Sequence, residues 1–325
     1  MGLRIGDKPL DDPSRPYVIA EASGNHGKDR GQAEMLMRAA AEAGADAVKF
    51  QTFEPHEIAA DLPFPYGHDA ATDAWARGLG VTRFPDLFTH GGLPRAWHAS
   101  LKRWAEALGL AFLSTPFSVD AARFLVEDIG VPALKIASGD LTFTPLLEYA
   151  NSTGLPVILS TGAATLDEID AALLGPLRDT WVGERLVLLH CRSIYPCEPE
   201  DMNLRCIETL RERYNVPVGL SDHTLSIYTV PALARDLGMT VLEKHLRLAE
   251  DRLSIDVGHS VGSASFALMV QALRQDGPGI GLETAAILGD GVTAPHTLEL
   301  HDRLWARRGT DGLRPTDEAR AGRWA

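Results

Sequence analysis

LVLLH at residues 186–190, VGLS at residues 218–221 and VLEKH at residues 241–245 follow one another as short apolar runs. Two segments of helical periodicity, residues 204–214 and 228–236, separate these runs. This alternation is typical of parallel strands, because a parallel pair needs a crossover connection that is usually a helix. The three runs therefore predict neighbouring strands of a parallel sheet.

The same alternation continues outward from these runs. Eight apolar runs lie at residues 17–20, 47–51, 111–114, 133–137, 157–160, 186–190, 218–221 and 241–245. Helical stretches follow them near residues 31–43, 94–107, 119–129, 144–152, 166–174, 204–214, 228–236 and 265–275. Eight units over about 260 residues have the size of a closed barrel, and no glycine-rich phosphate loop of a doubly wound sheet follows the first run. We therefore predict an α/β protein with a (β/α)8 TIM barrel in residues 1–285, followed by a C-terminal extension in residues 286–325.

Composition limits the partners that this chain is expected to have. Its 325 residues carry a formal net charge of −13, whereas sequence-independent nucleic-acid binding needs clustered Lys and Arg. No apolar stretch reaches the roughly 18 residues of a membrane span, and residues 1–10 lack the apolar segment of a signal peptide. We expect a cytoplasmic protein that binds neither nucleic acid nor membrane.

The longest interval without a predicted element is residues 54–92, which are rich in Pro, Gly, Asp and His. Loops of this length in a compact domain are commonly functional. We expect an irregular loop that covers the active site.

Polar residues end almost every predicted strand. In barrels of this kind the active site lies at the C-terminal ends of the strands, and buried charge there is costly unless it is matched. Their convergence on one face predicts a functional site. The candidates are Glu21, Lys49, Gln51, Ser114, Thr115, Lys135, Ser138, Ser160, Thr161, His190, Ser221, His223, Glu243, Lys244 and His245.

His223 and His245 follow the seventh and eighth predicted strands. Neighbouring strands lie about 4.8 Å apart, so the two imidazoles can reach one ion. With oxygen ligands from Glu21, water or substrate, the pair suits Mn²⁺, Mg²⁺ or a similar ion better than a closed tetrahedral zinc site. The other interpretation is that either histidine is a hydrogen-bonded core residue.

Lys49, Lys135 and the hydroxyl groups of strands two to five have the character of a pocket for a small phosphorylated anion. A barrel lysine whose pKa is lowered by burial can instead attack a carbonyl and form a Schiff base, and Lys49, Lys135 and Lys244 are all eligible. Each lysine could also simply pair with a carboxylate. Cys191 follows His190 directly, so their side chains are expected on opposite faces of the strand rather than as a nucleophilic pair.

A series of short strings along the chain resembles one known family. The strings are IAE at residues 19–21, AGADAVKFQ at 43–51, STPF at 114–117, KIASGD at 135–140, LSTG at 159–162, LHC at 189–191, SDHT at 221–224 and EKH at 243–245. Together they resemble the N-acetylneuraminate (sialic acid) synthases and their bacterial relatives for related nonulosonic acids.

The resemblance implies condensation of phosphoenolpyruvate with an aldehyde sugar, N-acetylmannosamine or a related acetamido sugar, to give a sialic-type acid and phosphate. It implies that His223 and His245 hold the metal, that Glu21, Glu243 and His223 are catalytic, and that the protein is a homodimer. Substrate contacts are implied for Lys49, Gln51, Thr115, Lys135, Ser138, Ser160, Ser193, Tyr195, Ser221 and Asp256.

Three features depart from the family pattern. Arg192 stands where relatives usually have Thr, which suggests a more anionic acceptor, and Ala22-Ser23 replaces the usual Ile-Gly. The residues after Arg308 are too few for the small antifreeze-like (SAF) domain of the relatives, so we expect that domain to be missing. Two alternatives stay open: a metal-independent Schiff-base aldolase on the same barrel, and a non-catalytic barrel subunit.

Overall fold

The computed structural model describes residues 2–64, 66–67, 70–248, 254–275 and 285–291. Within these residues eight parallel strands form a nearly closed barrel, which confirms the predicted fold class. Their bounds differ from the predicted runs by at most two residues. The strands are β1 Tyr17–Glu21, β2 Ala47–Thr52, β3 Ala111–Pro116, β4 Leu134–Ile136, β5 Val157–Ser160, β6 Leu186–Cys191, β7 Val218–Asp222 and β8 Val241–Arg247.

The first and last strands close the barrel. The strand order is β3-β2-β1-β8-β7-β6-β5-β4, and β3 and β4 lie side by side without a ladder between their described residues. In this register Glu21 lies opposite both His245 on β8 and Lys49 on β2. Residues from the two ends of the sequence therefore meet in one place.

One main helix follows each strand on the outside of the barrel in the described part of the chain, and a short helix, Arg178–Val182, lies between the fifth of them and β6. Side chains cap several of them: Asp29 accepts a hydrogen bond from the Gln32 N–H, and Thr165 and Glu168 form a capping box, as expected for these residue types. The helices are α1 Arg30–Glu42, α2 Arg95–Ala107, α3 Val119–Arg123 with a π-helical continuation Phe124–Ile129, α4 Thr144–Ser152, α5 Leu166–Leu174, α6 Cys206–Tyr214, α7 Thr229–Asp236 and α8 Ser263–Arg274.

A short N-terminal hairpin, Arg4–Ile5 with Lys8–Pro9, contributes to the apolar core inside the lower barrel. Ile5 and Leu10 join the buried strand residues there, which include Ile19, Ala47, Leu113, Ile158, Val187, Leu189 and Val241. The barrel interior is therefore packed at its N-terminal end, as in other barrels of this type. The polar strand ends lie at the other end.

Residues 54–92 differ from the expected irregular loop. Three short helices, Pro55–Ile58, Ala70–Gly78 and Phe84–Phe88, lie in this segment. Aromatic residues spaced along the segment pack together, and that burial supplies the order that the sequence pattern did not reveal. The expected position is correct, because the segment contributes one wall of the cavity at the strand ends.

The described C-terminal residues pack on the barrel. The helix Ala285–Leu288 lies beside the start of α6, where Leu204 N–H donates to Ile287 O at 3.0 Å and the Ile287 side chain is buried. The boundary at residue 285 stays a prediction, and residues 292–325 lie outside the described residues. Among the described helices, none has the length and apolarity needed to cross a membrane.

Candidate active site

A cavity of about 230 Å³ opens at the C-terminal ends of the strands. It brings together all the residues for which the family resemblance implied a catalytic, substrate or metal role. These are Glu21, Lys49, Gln51, Thr115, Lys135, Ser138, Ser160, Ser193, Tyr195, Ser221, His223, Glu243, His245 and Asp256.

Two lysines and two glutamates form the floor of the cavity, and all four are buried. Lys49 Nζ lies 2.6 Å from Glu21 Oε2 and 3.6 Å from Glu243 Oε2. Lys135 Nζ lies 3.8 Å from Glu243 Oε1. The charges cancel in pairs, which offsets the cost of burying them.

The two glutamates differ in their tendency to bind a proton. Burial raises the pKa of Glu21 to about 7, and the charge of Glu243 adds to this rise while Lys49 opposes it. Burial acts the same way on Glu243, but Lys135 and Lys49 outweigh it and lower the pKa of that carboxyl. One carboxylate can therefore exchange a proton near neutral pH while the other stays ionised, a division common in active sites.

The two lysines also differ. Burial lowers the pKa of Lys135, although Glu243 opposes the shift. Burial acts in the same direction on Lys49, but Glu21 and Glu243 outweigh it and raise the pKa of that ammonium group. Only Lys135 of these two is shifted in the direction that Schiff-base chemistry requires.

Hydroxyl groups surround the lysines. Thr115 accepts a hydrogen bond from Lys49 at 3.0 Å and Ser160 accepts one from Lys135 at 2.7 Å. Ser138 accepts one from Gly162 N–H at 3.0 Å. A Cβ atom at Gly162 would lie 2.6 Å from Ser193 Oγ, so only glycine allows this close approach. Two ammonium groups with hydroxyls at this spacing suit a phosphate or carboxylate group.

Four residues predicted at strand ends point away from the cavity. Lys244 is fully buried and donates to Asp222 at 2.7 Å and to Thr224 O at 2.6 Å. Its proposed eligibility for Schiff-base chemistry was therefore wrong. Ser114 contacts Thr52, Thr161 donates to Leu189 O and His190 contacts Met202 O. Neighbouring residues of a strand face opposite sides, so Lys244 and His190 face outward while Glu243, His245 and Cys191 face the cavity.

The histidines lie at one side of the cavity mouth. The rings of His223 and His245 are 5.6 Å apart, and His223 Nδ1 lies 2.7 Å from Arg192 O. This contact, typical of metal-binding histidines, leaves Nε2 as the atom available to an ion. His245, Asp256 and His259 bring ligand atoms within 4.8 Å of one another.

The donor set fits a divalent cation. His245 Nδ1 and His259 Nε2 are buried and have no hydrogen-bond partner within the described residues. Buried polar atoms are rarely left in this state, and an ion would satisfy them. Imidazole and carboxylate donors suit Mn²⁺ and similar ions.

Sequence reasoning missed two residues of this side. His259 was not among the candidates, although its position three residues after Asp256 could have singled it out. Ser23 accepts a hydrogen bond from Gln51 at 2.8 Å and donates one to Asp256. Ser23 was noted only as part of a departure from the family pattern, and its role was missed because its partners lie far away in the sequence.

The remaining wall of the cavity is apolar. Its residues come from the segment 54–92 and from two neighbouring loops. They are Ile58, Phe64, Phe84, Leu87, Phe88, Phe117 and Ile255. The cavity thus combines an anion-binding floor, a set of metal-ligand atoms and an apolar wall.

Comparison with known proteins gives consistent matches. Residues 36–281 match the model of the NeuB family. The N,N'-diacetyllegionaminic acid synthase of Legionella pneumophila is 35% identical over 307 residues, which are 93% of this chain and 82% of that protein. The pseudaminic acid synthase of Helicobacter pylori is 34% identical and covers 90% of this chain and 81% of its own length.

A solved structure matches as well. The N-acetylneuraminic acid (sialic acid) synthetase of Leptospira borgpetersenii, in complex with citrate, superposes with a TM-score of 0.70 at 31% identity. The match covers 84% of this chain and 87% of that chain. The sequence matches and the shared fold agree, and the chain belongs to the NeuB family and is a synthase-type enzyme.

Proposed function

We propose that the protein condenses phosphoenolpyruvate with an aldehyde sugar to give a sialic-type nonulosonic acid and phosphate. The observation that carries the proposal is the joining, in one cavity, of the Lys49–Lys135 floor and the histidine–aspartate cluster. The named activities of the relatives support the same class of reaction.

The lysine floor binds phosphoenolpyruvate in this proposal. Lys49 and Lys135 neutralise its phosphate and carboxylate groups, and nearby hydroxyls orient them by hydrogen bonds. These hydroxyls belong to Thr115, Ser138, Ser160, Ser193 and Ser221.

His223 and His245 would hold Mn²⁺, with Mg²⁺ or Co²⁺ as alternatives, and the ion would supply Lewis-acid polarisation of the aldehyde. The nucleophilic carbon of phosphoenolpyruvate forms a bond to the aldehyde carbon, and water adds to the cationic carbon that results. Glu21 takes the proton of this water, since its pKa lies near 7. Phosphate then leaves with the electrons of its C–O bond and takes up the proton held by Glu21, while the added hydroxyl becomes the ketone and its proton passes to the alkoxide left from the aldehyde. Glu243 stays ionised and balances the cation.

Gln51, Tyr195 and Asp256 form the acceptor side of the cavity in this proposal. All three line the cavity: Tyr195 and Asp256 lie beside His259, and Gln51 donates a hydrogen bond to Glu21. The apolar wall suits methyl groups of acetamido substituents. We propose N-acetylmannosamine or a related acetamido sugar as acceptor.

Phosphate release from phosphoenolpyruvate with Mn²⁺, measured across a panel of acetamido sugars, tests the proposal. We expect release that depends on one acceptor and is lost with EDTA or in His223→Ala. Activity that resists the chelator, with borohydride trapping at Lys135, would instead identify a Schiff-base aldolase. No phosphate release with any sugar of the panel, together with no metal bound to the purified protein, would identify a non-catalytic subunit.

We further propose that the protein is a homodimer located in the cytoplasm. The first statement rests on the family resemblance and the second on the sequence-based expectation. Light scattering of the purified full chain tests the first, since a monomeric mass would contradict it. Cell fractionation tests the second.

A further inference from the structure

The histidine side of the cavity contains more ligand atoms than the His223–His245 pair provides. His259 lies in the short turn Val257–His259 that follows Asp256, and both residues belong to the cluster around His245. We propose that His245, Asp256 and His259 bind one divalent cation together, so that His259 and Asp256 are metal ligands of this protein. The proposal rests on the metal dependence of the proposed function.

The spacing of the donor atoms supports shared coordination. His259 Nε2 lies 3.4 Å from Asp256 Oδ1. A charge-assisted hydrogen bond between them would be shorter, about 2.8 Å. Two ligand atoms that each lie about 2.1 Å from an ion are separated by roughly 3.0–3.4 Å at coordination angles near 90–110°. The observed distance fits two ligands of one ion.

The burial of the ring nitrogens gives independent support. His245 Nδ1 and His259 Nε2 are both buried and unpartnered within the described residues, and their rings are 4.4 Å apart. One unpaired buried nitrogen costs free energy, and two on neighbouring rings point to one missing partner. An ion bound to both nitrogens removes both costs.

Hydrogen bonds orient Asp256 for this role. Its Oδ2 accepts hydrogen bonds from Ser23 and from Gly24 N–H, the latter at 3.0 Å. Its Oδ1 is left facing His259. Carboxylate ligands fixed in this manner are typical of metal sites. The ring of His223 lies 5.6 Å from that of His245, and His223 is not part of the three-residue cluster.

Binding of Mn²⁺ to the full chain, followed by the EPR signal of the free ion, tests the proposal without any turnover. We expect His259→Ala and Asp256→Asn to weaken Mn²⁺ binding by about tenfold or more. The visible absorption of bound Co²⁺ should change in both variants. His90→Ala is the matched control, because His90 contacts Trp75 outside the cluster and its loss should leave the affinity unchanged.

Two results would overturn the inference in different ways. Normal Mn²⁺ affinity and an unchanged Co²⁺ spectrum in His259→Ala, with metal lost in His245→Ala, would exclude His259 as a ligand and leave the proposed function standing. Absence of Mn²⁺ binding by the wild-type protein would contradict both proposals. Phosphoenolpyruvate binding by each variant checks its fold, and His259→Gln replaces the alanine variant where that check fails.

Discussion

At the scale of single residues, the position of Lys49 explains how four charges can be buried under the cavity. Its ammonium group contacts Glu21, Glu243 and Thr115 at once. Each carboxylate therefore has a cation nearby, and the site is ready for an anionic substrate before that substrate arrives. Preorganised charge of this kind is a large contribution to catalysis.

Replacement of Lys49 by methionine should damage both stability and activity. The change leaves Glu21 and Glu243 buried without their shared cation, so we expect a loss of about 3–5 kcal/mol in unfolding free energy and no measurable phosphate release. Urea denaturation measures the stability. Lys102→Met is the control, because Lys102 pairs with Glu106 near the surface and should cost less than about 1 kcal/mol. Equal costs in the two variants would contradict the interpretation.

Gly162→Ala should weaken phosphoenolpyruvate binding. The added methyl group would lie 2.6 Å from Ser193 Oγ and 2.8 Å from Ser138 Oγ, so both hydroxyls must move. We expect KM for phosphoenolpyruvate to rise about tenfold or more, since roughly 1.4 kcal/mol of lost binding corresponds to a factor of ten. Steady-state kinetics measures the effect. Gly78→Ala, where a methyl group meets no atom within 4 Å, should behave like the wild type.

At the scale of elements, the strands were predictable because each is a short apolar run between helices. Which side chains face the cavity was less certain. A shift of one residue in the alternation along a strand would turn Lys244 toward the cavity in place of Glu243 and His245, and His190 in place of Cys191. The helices of residues 54–92 escaped prediction because each is short and ordered by contacts with the others. Ser23 and His259 join the site through tertiary contacts that no local pattern records.

A buried contact between α2 and β2 should make stability fall in mild acid. His98 Nε2 lies 2.7 Å from Thr52 Oγ1, and burial lowers the pKa of His98 to about 4. An unfolded histidine titrates near 6.5, so the stabilisation is complete above that pH and is lost as the pH falls toward 4. The loss is at most about 3 kcal/mol.

Urea denaturation between pH 7 and pH 4.5 measures this effect. We expect His98→Gln, which keeps a polar group but does not titrate, to show a smaller decrease in unfolding free energy than the wild type over this range. His26 and His190, whose pKa values burial also lowers to about 4, should contribute equally to both proteins. Parallel curves for the wild type and the variant would contradict the prediction.

At the scale of the whole molecule, one end of the barrel carries the active-site cavity and the other end contributes to stability. The C-terminal ends of the strands carry the cavity, whereas the N-terminal end is packed with apolar residues and held by Asp46. Asp46 is buried and accepts a hydrogen bond from Val18 N–H at 2.8 Å. It also pairs with Arg274 of α8 at 2.6 Å and with Lys8 of the hairpin at 3.2 Å. One carboxylate thus joins the first residues, the barrel and the last barrel helix.

Asp46→Asn should therefore lower stability without changing substrate affinity. Burial would raise the pKa of Asp46, but Val18 N–H and Arg274 outweigh it and lower that pKa, so the carboxylate stabilises the fold above the unfolded pKa and loses this contribution as the pH falls. At neutral pH the variant leaves Arg274 without its anion, and we expect a loss of about 3 kcal/mol. Urea denaturation measures this loss, and KM for phosphoenolpyruvate should equal that of the wild type. An increase in KM comparable to that of Gly162→Ala would contradict this prediction. It would mean that a change at the N-terminal end of the barrel alters the cavity at the other end.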